Sequence, residues 1–203
     1  MSIDRAMIMA YSDPPYLGCG KLYPEHPEAM IWDDSETYRL HINDLCIKYP
    51  DGWALSLSST SLSVILPMCP SDVRIASWVK PFAAFKQNVR VAYTWEPVIF
   101  RGGRLSSQDG AMVNRDHLAE PIAMKKGLTG AKPERFCRWI LDLLGWIPGD
   151  TIHDLFPGTG VFGDVLQLAI KNPNDLRGPR AARSRLEAER NFLAAELNSR
   201  VMP

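Results

Sequence analysis

Two consecutive prolines at the end of a short apolar run are the tightest constraint in this 203-residue chain. Ala6 to Ala10 leads into Ser12-Asp13-Pro14-Pro15-Tyr16. Each proline fixes its own φ, lacks an N–H and pushes the residue before it toward extended backbone. Asp13 is therefore expected to be extended, with the Pro14 carbonyl pinned beside it. A short apolar run closed by such a turn reads as a buried strand ending at a rigid corner. A carboxylate and a carbonyl held side by side can accept both hydrogens of an exocyclic amine, and Tyr16 can stack on the ring that carries it. Seen alone, a loop opening on Asp-Pro is the commoner use of such a segment.

A second turn, far along the chain, has the same placement. Thr151 to Phe156 reads as a strand and runs directly into Pro157-Gly158-Thr159-Gly160, with a helix from Val161 to Ile170 behind it. Glycines remove the Cβ atoms that would block a ligand from the backbone, and a helix N-terminus favours a carboxylate or phosphate. A lone G-x-G is a weak signal, because glycine turns are common. Its strand context and the preceding acidic residue, Asp154, strengthen it.

Between the two turns the pattern alternates. Residues 17–34 are irregular. Tyr38, Ile42, Leu45, Cys46 and Tyr49 share one helical face, with Ser35 as the expected N-cap. Trp53, Leu55 and Leu57 alternate as in a strand. Val73–Val79 and Val89–Phe100 are further strand candidates, the second interrupted at Pro97. Residues 101–131 read as a loop of functional length. Lys132-Pro133 opens a helix carrying Phe136, Ile140, Leu143 and Leu144 on one side. Strands alternating with helices predict an α/β sheet, whose ligands bind beyond the carboxyl ends of the strands. Both turns lie at such ends.

Composition narrows the function. Apolar residues are 46% and charged residues 23%, which is globular, and 23 basic side chains balance 23 acidic ones. Global charge thus gives a nucleic-acid partner no support; a local basic face would be needed. Cys19, Cys46, Cys69 and Cys137 form no C-x-x-C pair, so neither a zinc site nor a disulfide framework is expected. His26, His41, His117 and His153 lack metal-ligand spacing, and no metal is expected. No stretch nears the ~20 apolar residues that span a bilayer. The expectation is a soluble, cytoplasmic protein without membrane partners.

Taken together, the motifs carry a resemblance. Ser12-Asp13-Pro14-Pro15-Tyr16 resembles the catalytic motif of DNA methyltransferases that modify adenine N6 or cytosine N4. Phe156-Pro157-Gly158-Thr159-Gly160 resembles their F-x-G-x-G motif for S-adenosylmethionine (SAM), and Lys132-Pro133 the K-P that precedes it. Catalytic motif first, K-P helix next and SAM loop last is the permuted order of the beta class, shared by the messenger-RNA adenine methyltransferases. The resemblance implies a Rossmann-like methyltransferase sheet in permuted order. It also implies that Asp13, Pro14, Pro15 and Tyr16 hold a flipped base. Asp154, Phe156, Pro157, Gly158, Thr159 and Gly160, with Lys132 and Asp13 near them, would hold SAM. An aspartate in the first motif position is commoner in N6-adenine enzymes, so adenine is the preferred target. Glu96-Pro97 falls where the family has a late strand near the base pocket.

The resemblance also shows departures. The family has two further strands after the SAM loop, the first ending in an acidic ribose ligand. Here the remaining residues read as helix, proline-bearing linker and helix, and Glu196 is only a faint echo of that acid. One or two strands are thus expected to be missing. That leaves the SAM-loop strand at a sheet edge, to be covered by the basic tail (171–203) or by a homodimer or partner subunit. Residues 1–170 would be the catalytic domain. Arg101, Arg104, Lys125 and Lys126 in the 101–131 loop are the candidate DNA contacts. The implied activity is methyl transfer to an exocyclic nitrogen of DNA, with RNA as a lesser substrate option. The alternative is a degenerate relative that binds nucleic acid or a partner. A phage or mobile-element origin would suit the compact size.

Overall fold

The computed structural model describes residues 5–23, 26–81, 89–105, 113–123 and 131–172. The basic tail from residue 173 onward, with Glu196, and Lys125 and Lys126 lie outside the described residues. The sheet is built from β1 (Ile8–Ser12), β2 (Gly52–Ser56), β3 (Arg74–Val79), β4 (Trp95–Gly102), β5 (His117–Ala119) and β6 (Thr151–Asp154). The helices are α1 (Ser35–Lys48), the single turn α2 (Leu62–Ile65), α3 (Glu134–Leu143) and α4 (Val161–Lys171). Strand order is β5-β3-β4-β2-β1-β6. β1 runs parallel to both β2 and β6, whereas β4 is antiparallel to both β2 and β3.

The period-2 pleat sorts the core into two layers. Trp53, Leu55 and Leu57 point, as their alternation predicts, to one face with Tyr38, Ile42 and Leu45 of α1. Met9 and Tyr11 of β1, Ala54, Val98 and Phe100 point to the other, where Phe136 and Ile140 from α3, Leu144 at its C-cap, and Val165 and Ala169 from α4 cover them. Both faces of β2 are buried, so all five of its residues are inaccessible. The molecule is an α/β/α sandwich, as expected from alternating elements.

Several boundaries differ from the sequence expectation. Asp34, not Ser35, caps α1, its carboxylate accepting from the Glu36 N–H at 2.9 Å. The strand expected from Val89 begins only at Trp95 and runs to Gly102. Pro97 is tolerated inside it. Its carbonyl accepts from Leu57 N, just past the last β2 residue paired with β4, Ser56. The C=O and N–H of a strand residue point to the same side, so the missing donor faces a place where the ladder has ended. The loop expected over 101–131 contains β5, three residues paired with β3. The strand expected to reach Phe156 ends at Asp154. Among the described residues β6 has β1 as its one neighbour, so it forms a sheet edge.

The amino-terminal end of the sheet is closed by charge. The Asp150 carboxylate accepts from Met7 N at 2.9 Å, from Ile147 N at 3.0 Å and from Arg104 Nη2 at 2.6 Å, with 1% of its side chain exposed. Arg104 also donates to the Arg5 carbonyl at 3.0 Å. Asp51 accepts from Ile8 N at 2.9 Å and pairs with Arg5. Asp150→Ala would strand two backbone donors and take from the nearly buried Arg104 its carboxylate partner. It is expected to cost about 3 kcal/mol or more in urea unfolding at neutral pH. A loss under about 0.5 kcal/mol, typical of surface sites, would mean that water satisfies these groups instead.

Candidate functional site

At the carboxyl end of the sheet the two turns meet. Tyr11 of β1 is the register partner of Asp154 of β6, and Leu155 N donates to Tyr11 O at 3.0 Å. Asp13 follows Tyr11 by two residues and Phe156 follows Asp154 by two, so both motifs leave adjacent strand tips together. The turn into α4 uses left-handed backbone at Gly158 (φ 46°) and at Gly160 (φ 77°), the residue that caps the helix. Gly160 N closes the turn on Pro157 O at 2.7 Å. A Cβ at Gly160 would meet open space, and one at Gly158 would come no nearer than 3.8 Å to its closest neighbour, the Phe156 carbonyl. These glycines therefore serve the turn's backbone shape and leave its outer side clear. Asp154 Oδ1 accepts from Phe156 N at 3.3 Å, and its pKa is raised, by burial first and by the Asp13 charge in addition.

The proline turn is anchored from α1. Tyr38 donates to the Pro15 carbonyl at 2.8 Å. One turn on, His41 Nε2 is 2.7 Å from the buried Ser12 Oγ, and the ring sits edge-on to both Trp32 and Phe156. Burial pulls the His41 pKa down to about 4, so the imidazole is neutral at neutral pH. No hydrogen bond among the described residues reaches the Pro14 carbonyl.

Asp13 lies in a compact charge cluster. Lys132 Nζ donates to its Oδ1 at 2.8 Å and its Oδ2 at 2.7 Å, and to Tyr16 Oη at 3.2 Å. Tyr16 in turn donates to Glu96 Oε2 at 2.7 Å, and Lys80 Nζ donates to Glu96 Oε1, also at 2.7 Å. The Lys132 ammonium lies 5.3 Å from the Tyr16 ring centre and 5.9 Å from those of Trp78 and Phe136. Burial pushes the Asp13 carboxyl upward, against the opposing pull of Lys132. Burial would also lower the Lys132 pKa, but Asp13 and Glu96 together outweigh it and hold the ammonium protonated above its ordinary range. Glu96 falls below its usual range because Lys132, Lys80 and Tyr16 overcome the cost of burying it.

Asp13, Tyr16, Lys132, Asp154 and the Phe156–Gly160 turn are thus brought to one end of the sheet. Arg101 and Arg104 are not: they sit at the other end, beyond Phe100, and both are engaged. Arg101 Nε holds Asp72 at 2.8 and 3.0 Å, and Arg104 holds Asp150. Lys80 and the His41–Ser12 bond belong to the site and were not legible as such. The i, i+3 spacing of Tyr38 and His41 on the buried face of α1 was the available signal for the anchor. No signal marked Lys80, since its partner lies across a strand pair. No group of three or more His, Cys, Asp or Glu side chains able to hold a metal occurs among the described residues. No described helix is long and apolar enough to cross a membrane.

No protein-family profile and no curated protein sequence matches the chain. Solved structures do. The crystal structure of M1.HpyAVI superimposes with a TM-score of 0.51 at 16% identity, over 82% of this chain and 78% of that one. Its SAM complex gives 0.46 at 16% identity, over 81% and 80% of the two chains. A candidate DNA modification methylase from Thermus thermophilus, complexed with S-adenosyl-L-methionine, gives 0.45 at 13% identity, over 81% and 78%. The chain shares its fold with M1.HpyAVI. At such identity the likeness establishes the scaffold; what the site does must come from its own residues.

The neutral His41 makes stability depend on pH. Its folded pKa, about 4, lies below the ordinary 6.5. The unfolded chain therefore binds more protons in that interval, and this contribution is full above pH 6.5 and lost as pH falls toward 4. Its ceiling is about 3 kcal/mol. Urea midpoints of the wild type and His41→Gln, compared from pH 7 to pH 4, should converge on acidification. Parallel curves would show that His41 is not held neutral.

Proposed function

We propose that the protein is a SAM-dependent methyltransferase acting on an exocyclic amino nitrogen of DNA, with adenine N6 as the target. The observation that carries this reading is the meeting of the Asp13-Pro14-Pro15-Tyr16 turn with the Phe156–Gly160 turn on paired strand tips. The resemblance of both motifs to the permuted amino-methyltransferases, in the same chain order, gives that meeting its chemical sense. Among the described residues β6 lies at the sheet edge, beside β1 alone.

The residues fit the cofactor. The Pro157–Gly160 turn leaves its outer side clear, and the first N–H groups of α4 lack intrahelical acceptors, which suits the carboxylate of an amino acid. Asp154 supplies an acceptor beside that turn. SAM, when bound, supplies a methyl group on a sulfonium.

The chain's own residues supply position. The Asp13 carboxylate and the Pro14 carbonyl accept the two N–H groups of the amine and aim the nitrogen lone pair. Tyr38 holds the turn through Pro15, and the Ser12–His41 bond fixes its entry. Tyr16, tied down at its hydroxyl by Glu96, keeps its ring at the pocket to stack on the base. Positioning of this kind is the main contribution such a reaction asks of its enzyme. The target base must leave the duplex stack, at a cost of a few kcal/mol. Stacking on Tyr16 would return about 1–3 kcal/mol.

A non-catalytic reading finds one observation in its favour. β6 is an edge strand, so the side where a ribose would lie has no neighbouring strand among the described residues. Calorimetry with SAM and its demethylated product separates the two readings, since heat with either compound favours the enzyme. Incubation with DNA and SAM should yield N6-methyladenine by nucleoside mass spectrometry, and Asp13→Ala should abolish it while folding normally. SAM binding with no methylated DNA would redirect the search to RNA or another amine.

A further inference from the structure

Lys132 stands between two carboxylates. It contacts both oxygens of Asp13 at 2.7–2.8 Å, while Glu96 Oε2 is 3.9 Å away. The two acids are not equivalent. Glu96 is fixed at both oxygens, by Lys80 and by the Tyr16 hydroxyl. Asp13 has Lys132 as its cationic partner.

That difference bears on the amine reaction. A carboxylate whose two oxygens share one ammonium is partly neutralised and a poorer acceptor for an incoming N–H. Lys132 must therefore yield, yet a nearly buried ammonium without a counter-ion is costly. Its stem has four carbons, and Glu96 lies about one ångström beyond contact. Tyr16 Oη touches Lys132, Glu96 and, at 3.4 Å, Asp13, so a short swing keeps the ammonium hydrogen-bonded throughout.

Building on the reading of Asp13 as the amine acceptor, we infer that Glu96 is a positioning residue. It is the second counter-ion of Lys132, to which the ammonium moves when Asp13 takes an amino group. In the free protein Lys132 guards Asp13 as an ion pair. In the substrate complex Lys132 pairs with Glu96, and Asp13 presents its full charge to the amine. Lys80 holds Glu96 ready for this exchange and keeps the cluster of two acids and two lysines neutral. The groups facing Lys132 are Asp13 and Tyr16 after β1, Tyr23, Glu96 on β4 and Cys137 on α3.

The test uses the full chain with 13Cε-labelled lysine, the Lys132 signal assigned through Lys132→Arg. Glu96→Gln should lower the Lys132 titration midpoint in the free protein. Adding an adenine-containing single-stranded oligonucleotide with S-adenosylhomocysteine should shift that signal in the wild type and not in Glu96→Gln. With SAM and DNA, Glu96→Gln should bind SAM as the wild type does and lose kcat by on the order of tenfold to a hundredfold. Glu96→Asp should recover part of that loss. Wild-type kcat in Glu96→Gln, or a Lys132 signal that the oligonucleotide leaves unmoved, would overturn the inference. A wild type that binds SAM and the oligonucleotide with the expected Lys132 shift, yet methylates no DNA, would overturn the proposed reaction and leave the lysine exchange standing.

Discussion

Four rungs join β1 to β6 in parallel, from Ile8 opposite Thr151 to Tyr11 opposite Asp154. Parallel strands cannot be joined by a tight turn, and here well over a hundred residues separate them in sequence. Because they run the same way, both chains leave the sheet at the same end and at the same level. A shift of one residue would turn every side chain of β6 to the other face. Ile152 would leave the layer of α3 and α4, so burial fixes the register. The site is a consequence of that register, which aligns Asp13 beyond one tip with Phe156 beyond the next.

The two ends of the sheet divide the labour. At the amino-terminal end Asp150 and Asp51 gather backbone N–H groups and the guanidinium groups of Arg104 and Arg5. That end is a clasp. At the carboxyl end Asp13 and Glu96 face Lys132 and Lys80 in an equally dense cluster, but Lys132 has a second acid within a short swing. Buried ionic groups are costly to keep, and a pair with two available arrangements is a natural place for function.

Sequence reasoning read the strands best where burial imposed a pattern. Trp53, Leu55 and Leu57 alternate because one face of β2 packs on α1. Tyr38, Ile42 and Leu45 recur because α1 returns the contact. It failed where a long-range partner decided the structure. The three residues of β5 pair with β3 and have no local signal. Asp34 displaces Ser35 as the cap because its carboxylate reaches Glu36 N. The ion pairs of Arg101 and Arg104 had no local signal either, since their partners, Asp72 and Asp150, lie 29 and 46 positions away. The two turn motifs were legible because prolines and glycines write their backbone geometry directly into sequence. The charge cluster around Asp13 was only half legible: Lys132 came through the K-P resemblance, while Lys80 and the Tyr16–Glu96 bond required the fold.

On the proposed reaction, the tips of β1 and β6 hold both a methyl donor and the nitrogen that receives the methyl group. A crystal structure with S-adenosylhomocysteine decides whether they do. The amino-acid portion of that compound is expected against the Phe156–Gly160 turn, with its sulfur facing the Asp13 carboxylate across a gap the size of a methyl group. The compound bound elsewhere on the molecule, or seated at the glycine turn with its sulfur directed away from Asp13, would contradict it.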